Sequence, residues 1–306
     1  MRVHRGFPAA SEGHVALTIG NFDGVHCAHQ GMLKRLSEAA ADLHLAPTVL
    51  TFDPHPREFF ARERAPARLS TARDKFEQFR AAGVARVYVA RFNAALAALS
   101  AHEFIEGVLR MTLRVRWMLV GDDFRFGHDR AGDLATLRLA ARDFSVEAMP
   151  TVFVAGERVS STAVRSALVA GDLDRAAALL GRRYALSGHV AHGDKLGAGL
   201  GFPTANIVLR HKPALCGIFA VRVHGLGTSP RAGVASLGVR PTVKSAARPL
   251  LEVFIFDFGE SIYGRRITVE FMRKLRDEER FDDLDALRRQ IGIDVTQARE
   301  YFATHS

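Results

Sequence analysis

From residue 14 onward the chain alternates short apolar runs with amphipathic stretches. HVALTIG (14–20), APTVLTFD (46–53), VARVYVARF (84–92), RWMLVGDDF (116–124) and SVEAMPTVFV (145–154) are apolar and rich in β-branched residues, as strands buried on both faces are. Between the first two, HQGMLKRLSEAAADLHL carries Met32, Leu33, Leu36, Ala39, Ala40 and Leu43 at helical spacing. STARDKFEQFRAAG and SAHEFIEGVLRMTL read as further amphipathic helices. This alternation predicts an α/β domain with a parallel sheet covered on both faces, Rossmann-like in its layering. Ligands of such sheets sit beyond the carboxyl ends of the strands.

Near Gly181–Arg183 the pattern changes. YALSGHVAHG, CGIFAVRVHG, RAGVASLGVRPTV, LLEVFIFDF and RITVEFMRKL are short alternating segments separated by Gly and Pro. They predict a small antiparallel β-barrel. A terminal helix follows, with Leu284, Leu287, Ile291, Val295, Ala298 and Phe302 forming one apolar stripe. The reading is therefore two domains, 1–181 and 182–306, with no internal repeat.

Composition bounds the function without naming it. The 306 residues are 48% hydrophobic and 25% charged, with a net charge of +9. Only six of the 42 basic residues are lysine, the rest being arginine. Arginine suits forked contacts with phosphate, although codon bias in a GC-rich genome gives the same excess. No block of like charges and no interleaving of basic and aromatic residues points to nucleic acid. Cys27 and Cys216 offer neither a disulfide framework nor zinc spacing. No signal-like segment follows MRVHRGF, and no apolar run approaches the ~18 residues of a membrane span. The expectation is a cytoplasmic protein that acts on small molecules, without membrane or nucleic-acid partner. Its oligomeric state is left open, a monomer included.

Three polar segments of the first domain are expected to converge at one sheet edge. GNFDGVHCAH (20–29) joins the first strand to a helix, so His26 and His29 stand where backbone N–H groups lack partners and the helix dipole favours an anion. GDDFRFGHDRAGD (121–133) ends a strand in acids followed by Arg125 and Arg130. VSSTAVRSAL (159–168) sets hydroxyls at a helix start with Arg165 one turn in, a combination suited to polyphosphate. There is no G-x-x-x-x-G-K-[ST] loop, and GAGLGF (197–202) has Phe202 where a dinucleotide fingerprint needs its third glycine.

With GNFDGVHCAHQ, TFDPHP, VGDDFRFGHDRAGD and SSTAVR in the first half and HGDKLGAGLGFPTAN in the second, the chain resembles the bacterial bifunctional riboflavin kinase/FAD synthetases over nearly its full length. That resemblance implies phosphorylation of riboflavin by ATP to FMN, then adenylylation of FMN to FAD with release of pyrophosphate. For the adenylyltransferase it implies ATP contacts from Gly20, Asn21, Phe22, Asp23, Asp123, Arg125, Ser160, Ser161, Thr162 and Arg165. His26 and His29 act on the phosphates, with protonation strengthening their hold. For the kinase it implies an ATP loop of Gly193, Lys195, Gly197, Gly201 and Pro203, and a Mg²⁺ site at Thr204 and Asn206. Glu252 is implied as the general base for the ribityl hydroxyl, and Arg276 as a flavin contact. Pro203 fixes the backbone before Thr204, which puts Thr204 and Asn206 on one face of an extended segment.

Four positions depart from the family pattern. Ala28 stands where glycine is usual, Ala198 for arginine, Ser236 for asparagine and Phe254 for histidine. If position 28 requires a positive φ, alanine there costs roughly 1–2 kcal/mol and weakens the synthetase. The alternative reading is then a riboflavin kinase whose first domain is a weakly active or regulatory nucleotide-binding module.

Overall fold

The computed structural model describes residues 1–8, 12–193, 196–239 and 249–305. Contacts group them into two units: Met1–Pro66 with Ala72–Ser160, and Ala67–Thr71 with Ser161–Ser306. The helices Ser161–Val169 and Leu173–Leu180 thus count with the second unit, twenty residues before the change in sequence pattern.

In the first unit six strands form a parallel sheet: β1 (Arg2–Arg5), β2 (Val15–Ile19), β3 (Ala46–Asp53), β4 (Arg86–Arg91), β5 (Val115–Gly121) and β6 (Ser145–Met149), in the order β1-β4-β3-β2-β5-β6. Every residue of β2 is buried, which explains the unbroken apolar run at the sheet centre. The helix Cys27–Asp42 buries Leu33, Leu36, Ala39 and Ala40 on one face of the sheet. Phe104, Ile105, Val108 and Leu109 pack against the other. That second segment is not the α-helix its periodicity suggests. A short helix capped by Ser100 and Glu103 leads into a π-helical stretch, Phe104–Thr112.

Two further differences have simple causes. β1 is a charged edge strand without an apolar pattern, so periodicity does not reveal it. SVEAMPTVFV is two strands rather than one: β6 stops before Pro150, which has no N–H to donate. Phe153–Val154 (β7) instead pairs with Glu157–Arg158 (β8) in a hairpin.

In the second unit β9 (Ala185–His189), β10 (Thr204–Val208), β11 (Gly217–His224), β12 (Arg231–Val239), β13 (Pro249–Ile255) and β14 (Arg266–Arg276) form an antiparallel sheet in the order β10-β13-β12-β11-β14-β9. Its ends nearly close, with Ala191 N donating to Asn206 O at 2.8 Å. Leu251, Val253, Ala235, Leu237, Phe219, Val221, Val269 and Phe271 fill the barrel interior. The C-terminal helix Leu284–Thr304 lays Val295, Ala298, Tyr301 and Phe302 over Ile218, Ala220 and Val234 outside it. The tail of RAGVASLGVRPTV, from Arg240, lies outside the described residues.

Candidate active sites

The strand order reverses between β2 and β5, and a crevice opens beyond their carboxyl ends at such a switch point. GNFDGVH leaves β2 there and GDDF leaves β5. Gly20 N donates to Leu50 O at 3.1 Å, and the loop then turns through φ of 49° at Phe22, 81° at Gly24 and 42° at Val25. A left-handed conformation costs a non-glycine residue about 1–3 kcal/mol. It persists because Phe22 and Val25 are each 1% exposed, locked in the core under the helix Cys27–Asp42. Asp23 is buried as well.

His26 caps that helix, its Nδ1 accepting from His29 N at 3.4 Å. An accepting Nδ1 places the proton of neutral His26 on Nε2. His29 stacks on His26 and leans on the Phe22 ring. Burial first, then His26 and Lys75, hold the His29 imidazole well below its ordinary pKa. The expectation that protonation strengthens the pair is thus disfavoured at His29, whose ring is held neutral in the free chain. Thr18 Oγ1, Asn21 Oδ1 and His29 Nδ1 are buried without a hydrogen-bond partner among the described residues, three orphaned groups near the end of one strand.

Beyond β5, Asp122 is tied to Thr151 N and Oγ1, Asp123 pairs with Arg158, and Arg125 donates to Asp133 Oδ2 at 3.0 Å. Beside β3 and β4, Phe52, Phe59, Phe60 and Phe92 form an edge-to-face cluster, with Phe60 70% exposed. Of the three segments expected to converge, two share this edge. The third opens a helix grouped with the second unit. Ser160 and Ser161 are half-buried, Thr162 is exposed, and Arg165 Nε donates to Ala67 O at 2.6 Å.

In the barrel, register puts Asn206 beside Glu252, Glu252 beside Ser236, and Thr204 beside Phe254. Leu251, Val253 and Ile255 point inward, so Glu252 lies on the outer face with Asn206. Asn206 Nδ2 turns back to Thr204 O at 3.3 Å. That leaves Asn206 Oδ1 and Thr204 Oγ1 without partners among the described residues: two neutral oxygens, two residues apart on one strand. The glycine loop folds onto them. Phe202 N donates to Gly197 O at 2.8 Å. A Cβ at Gly197 would come within 2.5 Å of Phe202 O, and one at Gly193 within 2.5 Å of Asn206 Nδ2. Gly201 turns at φ +89° just before Phe202 and Pro203. Lys195 lies outside the described residues.

Arg276, on β14, has protein partners of its own. Its Nε and Nη2 both donate to Asp294 at 2.8 Å, and its Nη1 to Asp277 O at 2.9 Å. Asp294 is 2% exposed and also accepts from Gln290.

Family models place the same two chemistries on the same two stretches. One described as FAD synthetase matches residues 9–163, and one described as riboflavin kinase matches residues 180–302. The chain belongs to the bifunctional riboflavin kinase/FMN adenylyltransferase family. It is 45% identical over 303 residues to the Escherichia coli K12 protein of that name, covering 98% of this chain and 96% of the relative. The Pseudomonas fluorescens member is 49% identical over 285 residues, 92% of this chain and 91% of its own. A crystal structure titled macrolide-efflux protein from Streptococcus pneumoniae superposes with a TM-score of 0.78 at 28% identity, covering 95% of this chain and 97% of that one. No helix among the described residues here is long and apolar enough to cross a membrane.

Seen as a member of this family, the chain accommodates its departures locally. Ala28 sits in the first turn of the helix Cys27–Asp42 and is not among the residues of positive φ. The left-handed turns fall at Phe22, Gly24 and Val25, so the backbone argument for a weakened synthetase does not hold. Phe254 packs edge-on against Phe202 at 5.4 Å and against Phe256 at 5.8 Å. Ser236 Oγ donates to Glu278 Oε1 at 3.4 Å. Ala198 lies in the short helix Leu196–Gly199. Two residues that sequence reasoning passed over are Lys75, whose buried ammonium donates to Asn21 O, and Asp294. Asp294 could have been noticed as a lone acid inside the apolar stripe of its helix.

Proposed function

We propose that the chain makes FAD from riboflavin in two ATP-dependent steps, with residues 182–306 carrying the kinase and residues 1–181 the adenylyltransferase, in the cytoplasm. The observation that carries the kinase assignment is the cross-strand row Asn206, Glu252, Ser236 on the outer barrel face. In that step Glu252 takes the proton of the ribityl 5′-hydroxyl as its oxygen attacks the γ-phosphorus, and ADP leaves. Asn206 Oδ1 and Thr204 Oγ1 fit Mg²⁺, a hard cation content with one or two protein oxygens beside phosphate and water. When bound, the ion neutralises charge on the ATP phosphates. Gly193 and Gly197 keep the nucleotide loop close to that strand. Arg276, anchored by Asp294, shapes the flavin side of the site.

In the second step a phosphate oxygen of FMN attacks the α-phosphorus of ATP and pyrophosphate departs, so no protein nucleophile is needed. Positioning and charge stabilisation supply the catalysis. His26 Nε2–H and the neutral His29 ring, at a helix N-terminus beside orphaned Thr18 and Asn21 oxygens, support a phosphate-facing site. The stretch from Gly20 to Asp23 gives it a fixed floor, Asp123 and Arg125 edge it, and the exposed Phe59 and Phe60 offer a face for a flat ring. Ser160, Ser161, Thr162 and Arg165 are assigned to the phosphates on their motif alone.

Incubating the full chain with riboflavin, ATP and Mg²⁺ and separating the flavins tests the proposal. FMN and FAD are expected. FMN alone would favour a regulatory first domain, and neither product would overturn both assignments.

A further inference from the structure

We infer that Lys75 is a positioning residue of the adenylyltransferase site, its ammonium pinning the main-chain carbonyl of Asn21 and so holding the loop that presents His26 and His29. The inference rests on the assignment of that loop to FAD synthesis. Lys75 comes from the helix Ala72–Ala81, whose other basic residues, Arg73 and Arg80, are exposed. Lys75 instead turns inward and is 7% exposed. Its Nζ lies 3.0 Å from Asn21 O and 3.2 Å from Thr51 Oγ1, and Thr51 Oγ1 itself reaches Asn21 O at 3.4 Å. A carbonyl at the foot of the loop thus accepts from two donors on two different elements.

The position of this carbonyl gives the contact its consequence. Asn21 precedes Phe22, the first of the left-handed residues, and its own Oδ1 is among the orphaned buried atoms. A loop bent this way has nearby relaxed alternatives, and releasing Asn21 O frees it to adopt one. His26 and His29 would then lose the register that stacks them at the helix start. A charged donor also holds a carbonyl more strongly than a neutral one. The ammonium acts on His29 as well: His26 from the preceding turn and Lys75 from the helix Ala72–Ala81 both oppose protonation of a ring already disfavoured by burial. Lys75 thereby holds the place of the pair and adds to the burial and the His26 neighbour that keep His29 neutral.

The test uses the full chain with Lys75→Met, which keeps the length of the apolar stem and removes the ammonium. FMN-to-FAD turnover is expected to fall at least tenfold in kcat, with a smaller change in KM for ATP. Riboflavin phosphorylation by the same molecules should stay within twofold. His29 should titrate at a higher pH in ring-proton NMR than in the wild type, a shift that a merely structural role would not produce. FAD turnover within threefold of wild type, with His29 titration unmoved, overturns the inference. If Lys75→Met fails to fold, Thr51→Val decides: it should lower FAD turnover at least threefold, and an unchanged rate there overturns the inference equally. A wild-type chain that makes FMN but no FAD would instead sink the assignment of the loop, an outcome distinct from either.

Discussion

The imidazoles of His26 and His29 lie stacked, their ring centroids 3.7 Å apart and their planes 14° from parallel. Two cations do not stack at that distance, so the rings are not protonated together, and burial disfavours the charge on His29. His29→Ala should therefore cut FAD synthesis from FMN by about 10²-fold, the loss expected when one preorganised donor is removed, and leave riboflavin phosphorylation nearly unchanged. Separate assays of the two steps check this. Wild-type FAD synthesis would reduce the pair to a helix cap.

The same burial links stability to pH. The pKa of His29 is lowered in the folded chain, so the unfolded chain takes up the proton first as pH falls. Stability is complete above the unfolded pKa of about 6.5 and declines as pH drops toward the folded value, by at most about 1.4 kcal/mol per pH unit for one group. Denaturant midpoints between about pH 7.5 and 5 should show the decline for the first unit, and His29→Ala should flatten it.

Glu252→Gln keeps the shape of the side chain and removes the base. FMN formation should fall by about 10²–10⁴-fold, while FAD synthesis from supplied FMN persists. A loss below about tenfold would reject Glu252 as the base.

Asp294→Asn leaves the Arg276 guanidinium, 17% exposed, without its carboxylate. Breaking a buried pair from one side costs about 3–5 kcal/mol. Thermal unfolding should show a marked loss in the barrel unit, and the KM for riboflavin should rise as Arg276 and the following residues loosen. Unaltered stability and KM would show that the pair anchors nothing.

Ala28→Gly should give no gain in FAD synthesis, because the position is helical. Glycine there should cost at most about 0.5–1 kcal/mol of stability. A faster synthetase would mean that the loop needs a freedom not evident in its dihedrals.

Apart from the charged edge strand β1, the sheet strands are legible because burial leaves a period in the sequence, unbroken in β2 and alternating in β13. The outer-face row was half legible: proline before Thr204 and the period of two place Thr204 with Asn206, but only strand register brings Glu252 beside them. Lys75 was not legible. In DKFEQF it reads as one more charge on an amphipathic helix, and its partners are a carbonyl 54 positions back and a strand hydroxyl. Nor does the motif announce that the Phe22 side chain is core beneath His29. Arg276 is in its expected segment, yet its guanidinium is spent on an acid from another element, which no local pattern announces.

The grouping of Ala67–Thr71 and of the helices after Ser160 with the barrel bears on how the chain can be taken apart. Arg165 reaches Ala67 O, Arg68 N donates to Lys212 O, and the Gly171 backbone lies against the Lys274 side chain. A gene split at residue 181 would part Arg68 from Lys212 and Gly171 from Lys274, while Arg165 and Ala67 would stay together on the first fragment. Such a cut falls inside the second unit, which draws on residues from both sides of it. Separating the activities is a task for point substitutions rather than truncation.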